Sequence, residues 1–378
     1  MPIDAAVPLL GGLSPRTFMR RHWQKRPLLV RGAMPGVRAP VSRAELFALA
    51  ARDEVESRVV SCANGAWSLR HGPFPRRGLP PLARPGWTLL VQGVDLHVDA
   101  AHALLERFRF VPDARLDDLM ISYASDGGGV GPHQDSYDVF LLQVHGRRRW
   151  RIGRVVDPSL LPGVPLKLLA RFAPSREWVL EPGDMLYLPP RWGHDGVAEG
   201  ECMTCSIGFR AAARGETGRE VLHRLLDAQA DDDADATTLY RDPAQPATDA
   251  PARIPEALQA FGADAVARLA ADARSLARAL GEWLSEPKPR VVFEGGAGWD
   301  GTCGVALDRR TRMLYDGHHV FINGESYRAS GRDAALMRRL ADARRLDAAQ
   351  CRGASGDARR LLDEWAAAGW LHAAAAEP

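Results

Sequence analysis

The sequence predicts a mainly β protein with added helices, in which a sandwich or barrel of short strands precedes separate helical and α+β segments. Short segments of extended character follow one another between residues 55 and 209, and turns rich in glycine and proline separate them, as in sandwiches and barrels. The chain has 378 residues, a length that predicts two or three domains, and 46% of them are hydrophobic. A stretch rich in Asp, Pro, Ala and Thr at 231–252 predicts a linker.

Two short helices are expected before the strands begin. Ser14 is suited to cap a helix that starts with Pro15, and apolar residues then recur at helical spacing. Ser42 followed by Glu45 has the spacing of a capping box, which predicts a second helix start.

The strands are predicted from extended segments and from the turns between them. Asn64 and Gly65 form a hairpin-turn signal between two such segments. One helix, over roughly residues 99–109, interrupts the series. We expect strands at residues 55–61, 67–71, 87–92, 119–123, 139–144, 148–152, 177–180, 184–188 and 203–209.

The part of the chain after the linker has a different pattern. Residues 255–285 are helical in character, and a Pro-Lys-Pro segment at 287–289 follows them. Turn signals at 316–317 and 323–324 separate short extended runs, and helices are expected near 332–342 and 357–370. The sequence therefore predicts a small separate α+β domain at the C-terminal end.

The composition excludes several classes of protein. No segment approaches the roughly 20 consecutive apolar residues of a membrane-spanning helix, and the first residues lack the pattern of a secretion signal. The 49 basic and 47 acidic residues give a net charge of only +2, so a global nucleic-acid-binding surface is not expected. Five scattered cysteines do not indicate a disulfide framework. We expect a cytoplasmic protein without a membrane partner.

The strongest chemical signal is a histidine and an aspartate followed by a distant histidine. His133 and Asp135 are two positions apart at a strand entry, so their side chains share one face. A later strand can supply His194 as a third ligand. Two imidazoles and one carboxylate leave positions open on an octahedral metal, as Fe(II) oxygenases require. A His-x-Asp pair alone often arises by chance, so this prediction needs independent support.

That support comes from an arginine-rich strand at 147–152. Arg148 alternates with Trp150 and Ile152 on the apolar face, whereas Arg147, Arg149 and Arg151 share the other face, where a solvated stripe is expected. A buried guanidinium without a partner is costly, and no acidic residue of the protein is an obvious partner. The distal carboxylate of 2-oxoglutarate fits this requirement, because a guanidinium binds a carboxylate through two hydrogen bonds.

Seven motifs together resemble a known family. They are HWQKRPL at 22–28, DDLMIS at 117–122, GGGVGPH at 127–133, YDVF at 137–140, GRRRW at 146–150, EPGD at 181–184 and SIGFR at 206–210. On these motifs, residues 11 to about 215 resemble the JmjC-type 2-oxoglutarate-dependent ribosomal oxygenases. The resemblance is greatest to the bacterial branch that hydroxylates arginine in ribosomal proteins.

The resemblance implies a domain organisation and a set of partners. It implies a double-stranded β-helix of the jelly-roll, cupin-like type at 1–212, a helical dimerisation segment at 213–287 and a winged-helix-like domain at 288–378. The implied substrate is a protein of the large ribosomal subunit, the sixteenth, modified on an arginine. A homodimer is implied by the family layout. Direct DNA binding is not expected, because residues 333–345 mix acids with arginines.

The resemblance also assigns roles to individual residues. It implies that Fe(II) is bound by the three predicted metal ligands and that Arg148 binds the distal carboxylate of 2-oxoglutarate, with Thr204 as a minor contact. It implies a substrate pocket formed by four further residues: Asp118, Met120, Tyr137 and Ser206. Asp118 and Met120 share a strand face, so one can neutralise a guanidinium while the other contacts its aliphatic part.

Two alternatives remain open from the sequence. The first is a histidine or asparagine hydroxylase of the same fold, whose pocket would not need the acid at Asp118. The second is a cupin-like binding module that holds a structural metal without catalysis, in which Arg148 would need no 2-oxoglutarate.

Overall fold

The computed structural model of the protein describes residues 2–229, 238–243, 245–247, 252–296, 298–328 and 330–374. Two compact units divide the chain, Met1–Ala211 and Ala212–Pro378. Most of the predicted linker at 231–252 lies outside the described residues. Within the described part of the chain, no helix combines the length and apolar character needed to cross a membrane.

The first unit contains three short helices, two of which begin at polar capping residues. They are α1 (Pro15–Arg21), α2 (Arg43–Leu49) and α3 (Asp99–Glu106). Ser14 Oγ accepts a hydrogen bond from the backbone N–H of Thr17, at 3.2 Å, and so caps α1. Ser42 and Glu45 form both hydrogen bonds of a capping box at α2. Both predicted helix starts are therefore confirmed.

The first unit is built on ten strands. They are β1 (Leu28–Val30), β2 (Ser57–Ala63), β3 (Ala66–His71), β4 (Trp87–Val91), β5 (Leu116–Ala124), β6 (His133–Gln134), β7 (Asp138–Arg154), β8 (Arg176–Leu180), β9 (Met185–Leu188) and β10 (Trp192–Phe209). The strands are antiparallel and follow the order β1-β9-β7-β10-β5-β4-β2-β3, with β6 on β10 and β8 on β7. The predicted mainly β fold of the jelly-roll, cupin-like type is confirmed.

Two long strands depart from the prediction. The segments expected at 139–144 and 148–152 form the single strand β7, and β10 begins at Trp192 rather than near residue 203. Gly146 has a φ of +61°, so the chain can bend without leaving the sheet. The register with β10 shifts between Glu199 and Met203, next to this bend. Each long strand therefore continues through the bend and pairs with the other on both sides of it.

The alternation of side chains along β7 separates the core from the barrel interior. Phe140 and Leu142 belong to a large core that includes Phe18 of α1 and Phe209 of β10. The rings of Phe18 and Phe140 lie 5.4 Å apart between centroids. Burial of each such ring contributes roughly 1.5–3 kcal/mol to stability. This packing holds one face of the sheet in place and leaves the other face to line a cavity.

The second unit contains six helices and six strands among its described residues. The helices are α4 (Arg214–Gln229), α5 (Glu256–Leu269), α6 (Ala273–Ser285), α7 (Gly331–Ala343), α8 (Ala348–Arg352) and α9 (Gly356–Ala367). The strands are β11 (Val305–Leu307), β12 (Met313–Tyr315), β13 (His319–Ile322), β14 (Glu325–Arg328), β15 (Arg345–Leu346) and β16 (Leu371–Ala373).

The second unit follows the predicted order of helices and turns, except that one predicted helical segment is divided and the short helix α8 was not predicted. The helical segment predicted at 255–285 is divided, because the Asp272 carboxylate accepts hydrogen bonds from the backbone N–H groups of Arg274 and Ser275 and so starts α6. Two three-stranded sheets follow, in the orders β15-β11-β16 and β12-β13-β14. Leu340 and Trp365 are buried in their shared core.

Candidate active site

The pairing of β6 with β10 brings the two predicted histidine ligands together. His133 lies opposite His194 in the register of these strands, and their ring centroids are 4.2 Å apart. Asp135 follows directly after β6 and reaches the same place. One potential ligand atom from each of the three residues lies within 4.8 Å of the others. The structure therefore places the three predicted ligands in one cluster.

Hydrogen bonds to the backbone orient both imidazole rings. His133 Nδ1 lies 2.9 Å from the carbonyl oxygen of Gly131, and His194 Nδ1 lies 3.0 Å from that of Trp192. A carbonyl only accepts, so each Nδ1 donates a proton and each Nε2 keeps a lone pair. The Nε2 atoms of His133 and His194 face the Asp135 carboxylate at 3.9 Å and 3.5 Å.

Burial keeps one of these histidines in the form that binds a metal. His194 is only 3% exposed. Its burial lowers its pKa to about 4, and the charge of the nearby His133 is the second cause of this decrease. The ring is therefore neutral at pH 7, as an imidazole ligand must be.

Arg148 lies in the same cavity without an acidic partner. Its side chain is 3% exposed and burial lowers its pKa. Nη1 donates to the hydroxyls of Ser122, at 3.1 Å, and Thr204, at 3.5 Å, and Nη2 donates to the carbonyl of Gly196, at 3.1 Å. Nε is buried without a hydrogen-bond partner, and among the described residues no carboxylate pairs with this guanidinium. Arg148 is therefore a buried cation contacted by neutral groups.

Gly196 provides the space in which this guanidinium lies. A Cβ atom at this position would lie 2.7 Å from the Trp150 ring and 2.8 Å from Arg148 Nε. The guanidinium carbon of Arg148 is also 5.0 Å from the centroid of that ring, which stabilises the cation. Any larger residue at 196 would therefore displace the arginine.

A cavity of about 430 Å³ contains the metal cluster and Arg148. Seven other residues of the inner sheet face line it as well: Leu69, Thr88, Leu90, Met120, Ser122, Thr204 and Ser206. The pairing register explains this set, because Leu90 lies opposite Ser122 and Ser122 lies opposite Thr204 on successive strands. The cavity is therefore the interior of the barrel.

Comparison with known proteins gives this geometry a family. Residues 103–217 match a model of the JmjC domain, and residues 268–372 match a model of the ROXA-like winged helix. The crystal structure of the Escherichia coli ribosomal oxygenase YcfD superposes with a TM-score of 0.82 at 31% identity, over 96% of this chain and 98% of that one. The chain belongs to the JmjC-type ribosomal oxygenase family. The winged-helix match also confirms the fold predicted for the C-terminal segment.

Other members of the family extend the comparison. YcfD in complex with cobalt and 2-oxoglutarate has a TM-score of 0.80 at 30% identity, over 95% of this chain and 98% of that one. The ribosomal protein uL16 3-hydroxylase of E. coli is 44% identical over 201 residues, which are 51% of this chain and 52% of that protein. A probable ribosomal oxygenase of Haemophilus influenzae is 36% identical over 203 residues. The chain spans about half the length of these two curated relatives.

Three of the four predicted substrate-pocket residues line the cavity. Met120, Tyr137 and Ser206 do so, and the Tyr137 side chain is 39% exposed at the cavity wall. Asp118 is buried instead, and its Oδ2 accepts a hydrogen bond of 2.9 Å from the backbone N–H of Gly93. Desolvation, with the charges of Asp135 and Asp118 nearby, raises the pKa of Tyr137. Asp118 is therefore not among the residues that line the cavity.

Several cavity residues were not predicted from the sequence. The connection between β7 and β8 contributes four of them: Pro165, Leu166, Lys167 and Leu168. Lys167 is one of only three lysines in the chain, which was a usable signal. Arg58 of β2 also lines the cavity, although no motif singled it out.

Proposed function

We propose that this chain is an Fe(II)- and 2-oxoglutarate-dependent dioxygenase that hydroxylates an arginine side chain of a large-subunit ribosomal protein. The observation that carries the proposal is one cavity in which His133, Asp135 and His194 converge beside the unpaired cation Arg148. A relative named as a uL16 3-hydroxylase and a family structure with cobalt and 2-oxoglutarate support it. The proposed target is accordingly the sixteenth protein of that subunit.

The donor set suits Fe(II). His133, Asp135 and His194 would hold the ion with two neutral nitrogens and one carboxylate oxygen. Structural zinc sites enclose the ion with four protein ligands, whereas the described residues of this cluster supply three and the cavity adjoins them. That arrangement leaves positions for a chelating cosubstrate and for dioxygen.

Arg148 fits the distal carboxylate of 2-oxoglutarate. Its Nε has no protein partner, and its two terminal nitrogens have only neutral acceptors. A carboxylate would complete the hydrogen bonding of the guanidinium and compensate its charge. Ser122 and Thr204, which already contact Arg148, would flank that carboxylate.

When bound, the ferrous ion, 2-oxoglutarate and dioxygen supply the oxidation of an unactivated C–H bond to C–OH, with succinate and carbon dioxide as the other products. The protein positions the target carbon and limits the access of water. Leu141, Trp150 and Leu168 form apolar parts of the wall and are largely buried. The hydrogen bonds at His133 and His194 hold the ligand rings in place.

The Asp118 carboxylate near Tyr137 supports a cationic substrate side chain. We propose that the aliphatic part of the arginine packs between Met120 and Tyr137, with Ser206 as a polar contact and Asp118 as the compensating charge. A histidine or asparagine side chain would not need that charge. This difference separates the arginine hydroxylase from the alternative hydroxylases.

For the whole chain we propose a catalytic domain at 1–212, a helical dimerisation segment at 213–287 and a winged-helix-like domain at 288–378. Leu222 and Leu226 of α4 and Val266 of α5 are exposed apolar side chains, which supports a homodimer formed through this segment. We also propose that the protein acts in the cytoplasm and does not bind DNA directly.

Anaerobic reconstitution followed by exposure to oxygen tests the proposed function. The protein is loaded with Fe(II) and 2-oxoglutarate and mixed with large-subunit ribosomal proteins, and intact masses are then measured. We expect one ribosomal protein to gain one oxygen atom, on arginine by fragmentation. Asp135→Asn should abolish the gain because it removes the charged ligand, whereas Asp4→Asn, whose carboxylate pairs with Arg16 on the exposed surface, should retain it.

Two results would count against this function. Absence of any gain in mass with the loaded protein would contradict hydroxylase activity and favour a binding module. Modification of a histidine or asparagine would contradict the arginine target. Asp118→Ala sharpens the second point, because it should abolish arginine modification while 2-oxoglutarate turnover without substrate continues.

A further inference from the structure

A second arginine lines the active-site cavity. Arg58 lies on β2 opposite Leu90 of β4, and Leu90 lies opposite Ser122 of β5. Arg58 is therefore on the inner face of the sheet, two strands away from the serine that contacts Arg148. Strands in a sheet are spaced about 4.8 Å apart, so the backbones of Arg58 and Ser122 are roughly 10 Å apart. Arg58 thus lies in a different part of the cavity from the proposed cosubstrate site.

Arg58 has no acceptor among the residues that the structure describes. Its Nε is buried without a hydrogen-bond partner, and no ion pair is formed by its guanidinium within the described ranges. By contrast, two other arginines of the first unit have aromatic partners: Arg70 stacks over Phe74 and Arg76 stacks over Phe47. A buried N–H group without an acceptor, such as Nε of Arg58, is unfavourable unless a ligand supplies the acceptor.

The other residues of the cavity wall indicate what that ligand is. Asp135 and Tyr137 line the same cavity as Arg58. The wall therefore places acidic groups and a cation around the entering substrate. A cationic substrate side chain is attracted to the acidic groups and repelled by Arg58. Arg58 can therefore donate hydrogen bonds to an uncharged or negative group elsewhere on the same substrate.

We propose that Arg58 is a substrate-binding residue that donates hydrogen bonds to main-chain carbonyl oxygens of the polypeptide segment carrying the modified residue. This inference rests on the proposed function. A guanidinium has five N–H donors in a planar arrangement, which can bind two successive carbonyls. Any polypeptide offers such carbonyls where it crosses the mouth of the cavity, while its target side chain enters. A side-chain carboxylate has the same acceptor chemistry, and the test separates the two sources.

The test uses the full-length protein and short overlapping peptides that cover the arginines of the sixteenth large-subunit ribosomal protein, and the peptide that binds most tightly is carried forward. Peptide affinity is measured with Co(II) and 2-oxoglutarate, under conditions without turnover, and KM and kcat are measured with Fe(II). The variants are Arg58→Met and Arg58→Lys, with Arg77→Met as the control. Arg77 is exposed and does not line the cavity, so this control removes the same charge elsewhere.

We expect Arg58→Met to raise both the Kd and the KM of the peptide about 10-fold, as loss of a hydrogen bond from a charged group does. Arg58→Lys should give a smaller increase, because lysine keeps the charge and loses the planar donor set. The kcat and the KM for 2-oxoglutarate should change less than about 2-fold, and Arg77→Met should match the original protein. A second peptide, with each Asp and Glu replaced by Asn and Gln, should show the same dependence on Arg58.

Three results would overturn the proposal. The first is equal peptide affinity in Arg58→Met and the original protein. The second is a parallel rise in the KM for 2-oxoglutarate, which would assign Arg58 to the cosubstrate. The third is loss of the Arg58 effect with the peptide that lacks acids, which would assign it to a side-chain carboxylate. Failure of the original protein to modify the peptide would instead contradict the proposed function, and the Co(II) affinities would still report on Arg58.

Discussion

On the outer face of β7, Arg149 and Arg151 form ion pairs, whereas on the inner face Arg148 has no acidic partner. Arg149 pairs with Glu177, at 2.6 Å, and with Glu199, and Arg151 pairs with Asp195. The outer arginine side chains are 44% and 43% exposed, whereas Arg148 is 3% exposed. Neighbouring residues of one type thus differ in burial and in partner.

This difference shows that the inner arginine is not explained by folding. The exposed pair of Arg149 with Glu177 contributes little to stability, and its cost in desolvation is also small. A buried guanidinium without a carboxylate is a net cost in the ligand-free protein. We propose that the strand presents Arg148 to a ligand and Arg149 to the surface, and the variants of these two arginines test that division.

The largest effect is expected for 2-oxoglutarate binding by Arg148→Met. Removing one partner of a buried charge pair costs roughly 2–5 kcal/mol, so the Kd for 2-oxoglutarate should rise about 100-fold. Arg149→Met should change it less than about 2-fold, because Arg149 does not line the cavity. Titration calorimetry with Co(II) present measures both.

The same pair of variants also controls for folding. Arg148→Met should unfold at no lower denaturant concentration than the original ligand-free protein, because an apolar side chain replaces an unpaired buried cation. Equal 2-oxoglutarate affinity in the two variants would remove the distinction between the inner and the outer arginine.

An intermediate effect, on the free energy of unfolding, is expected for a partly buried arginine that pairs with a carboxylate of the protein itself. In the second unit, Asp308 accepts hydrogen bonds from Arg310 and lies 2.8 Å from His372 Nε2, and these partners outweigh desolvation and lower its pKa to about 2. The unfolded value is about 3.9. The stabilisation is therefore complete above pH 4 and is lost between pH 4 and pH 2, about 2 kcal/mol in all.

Asp308→Asn should lower the unfolding free energy of the second unit by about this amount at pH 6 and by much less at pH 2.5. Asp357→Asn is a suitable control, since Asp357 pairs with Arg360 on the exposed surface. Unfolding curves at several pH values measure the difference. An equal loss at both pH values would show that the carboxylate charge is not responsible.

The smallest effect is expected for the outer pairs themselves. Arg149→Met should lower the unfolding free energy of the first unit by less than about 1 kcal/mol, and the difference should shrink in 1 M salt, where the Debye length is about 3 Å. Urea unfolding at low and high salt measures it. A larger loss that persists at high salt would mean that the outer face is as structurally important as the inner one.

The sequence was sufficient for those parts of the site that lie within single strands. Alternation along 147–152 separated Arg148 from its neighbours, and the two-residue spacing of His133 and Asp135 placed both on one face. The caps at Ser14 and Ser42 were predictable for the same reason, since each depends on residues three positions away.

Features that depend on strand order were not predictable. Arg58 reaches the cavity only because β2, β4 and β5 are successive neighbours in the sheet, and no local pattern contains that order. Lys167 lies in an irregular connection, where neither period applies. The Asp118 carboxylate contacts Gly93, which is 25 positions away in the chain. The alternation of side chains along a strand predicts that Asp118 and Met120 lie on the same face, but it does not predict the contact of Asp118 with Gly93.

The continuity of β10 has a consequence for the choice of cosubstrate. One uninterrupted strand carries His194 and Gly196 and then Ala198, which lies opposite Arg148 in the register. The backbone spacing between His194 and the residue opposite Arg148 is therefore set by strand geometry. We expect a diacid one carbon shorter or longer than 2-oxoglutarate to bind more weakly, because it would be less able to reach both the metal site and Arg148.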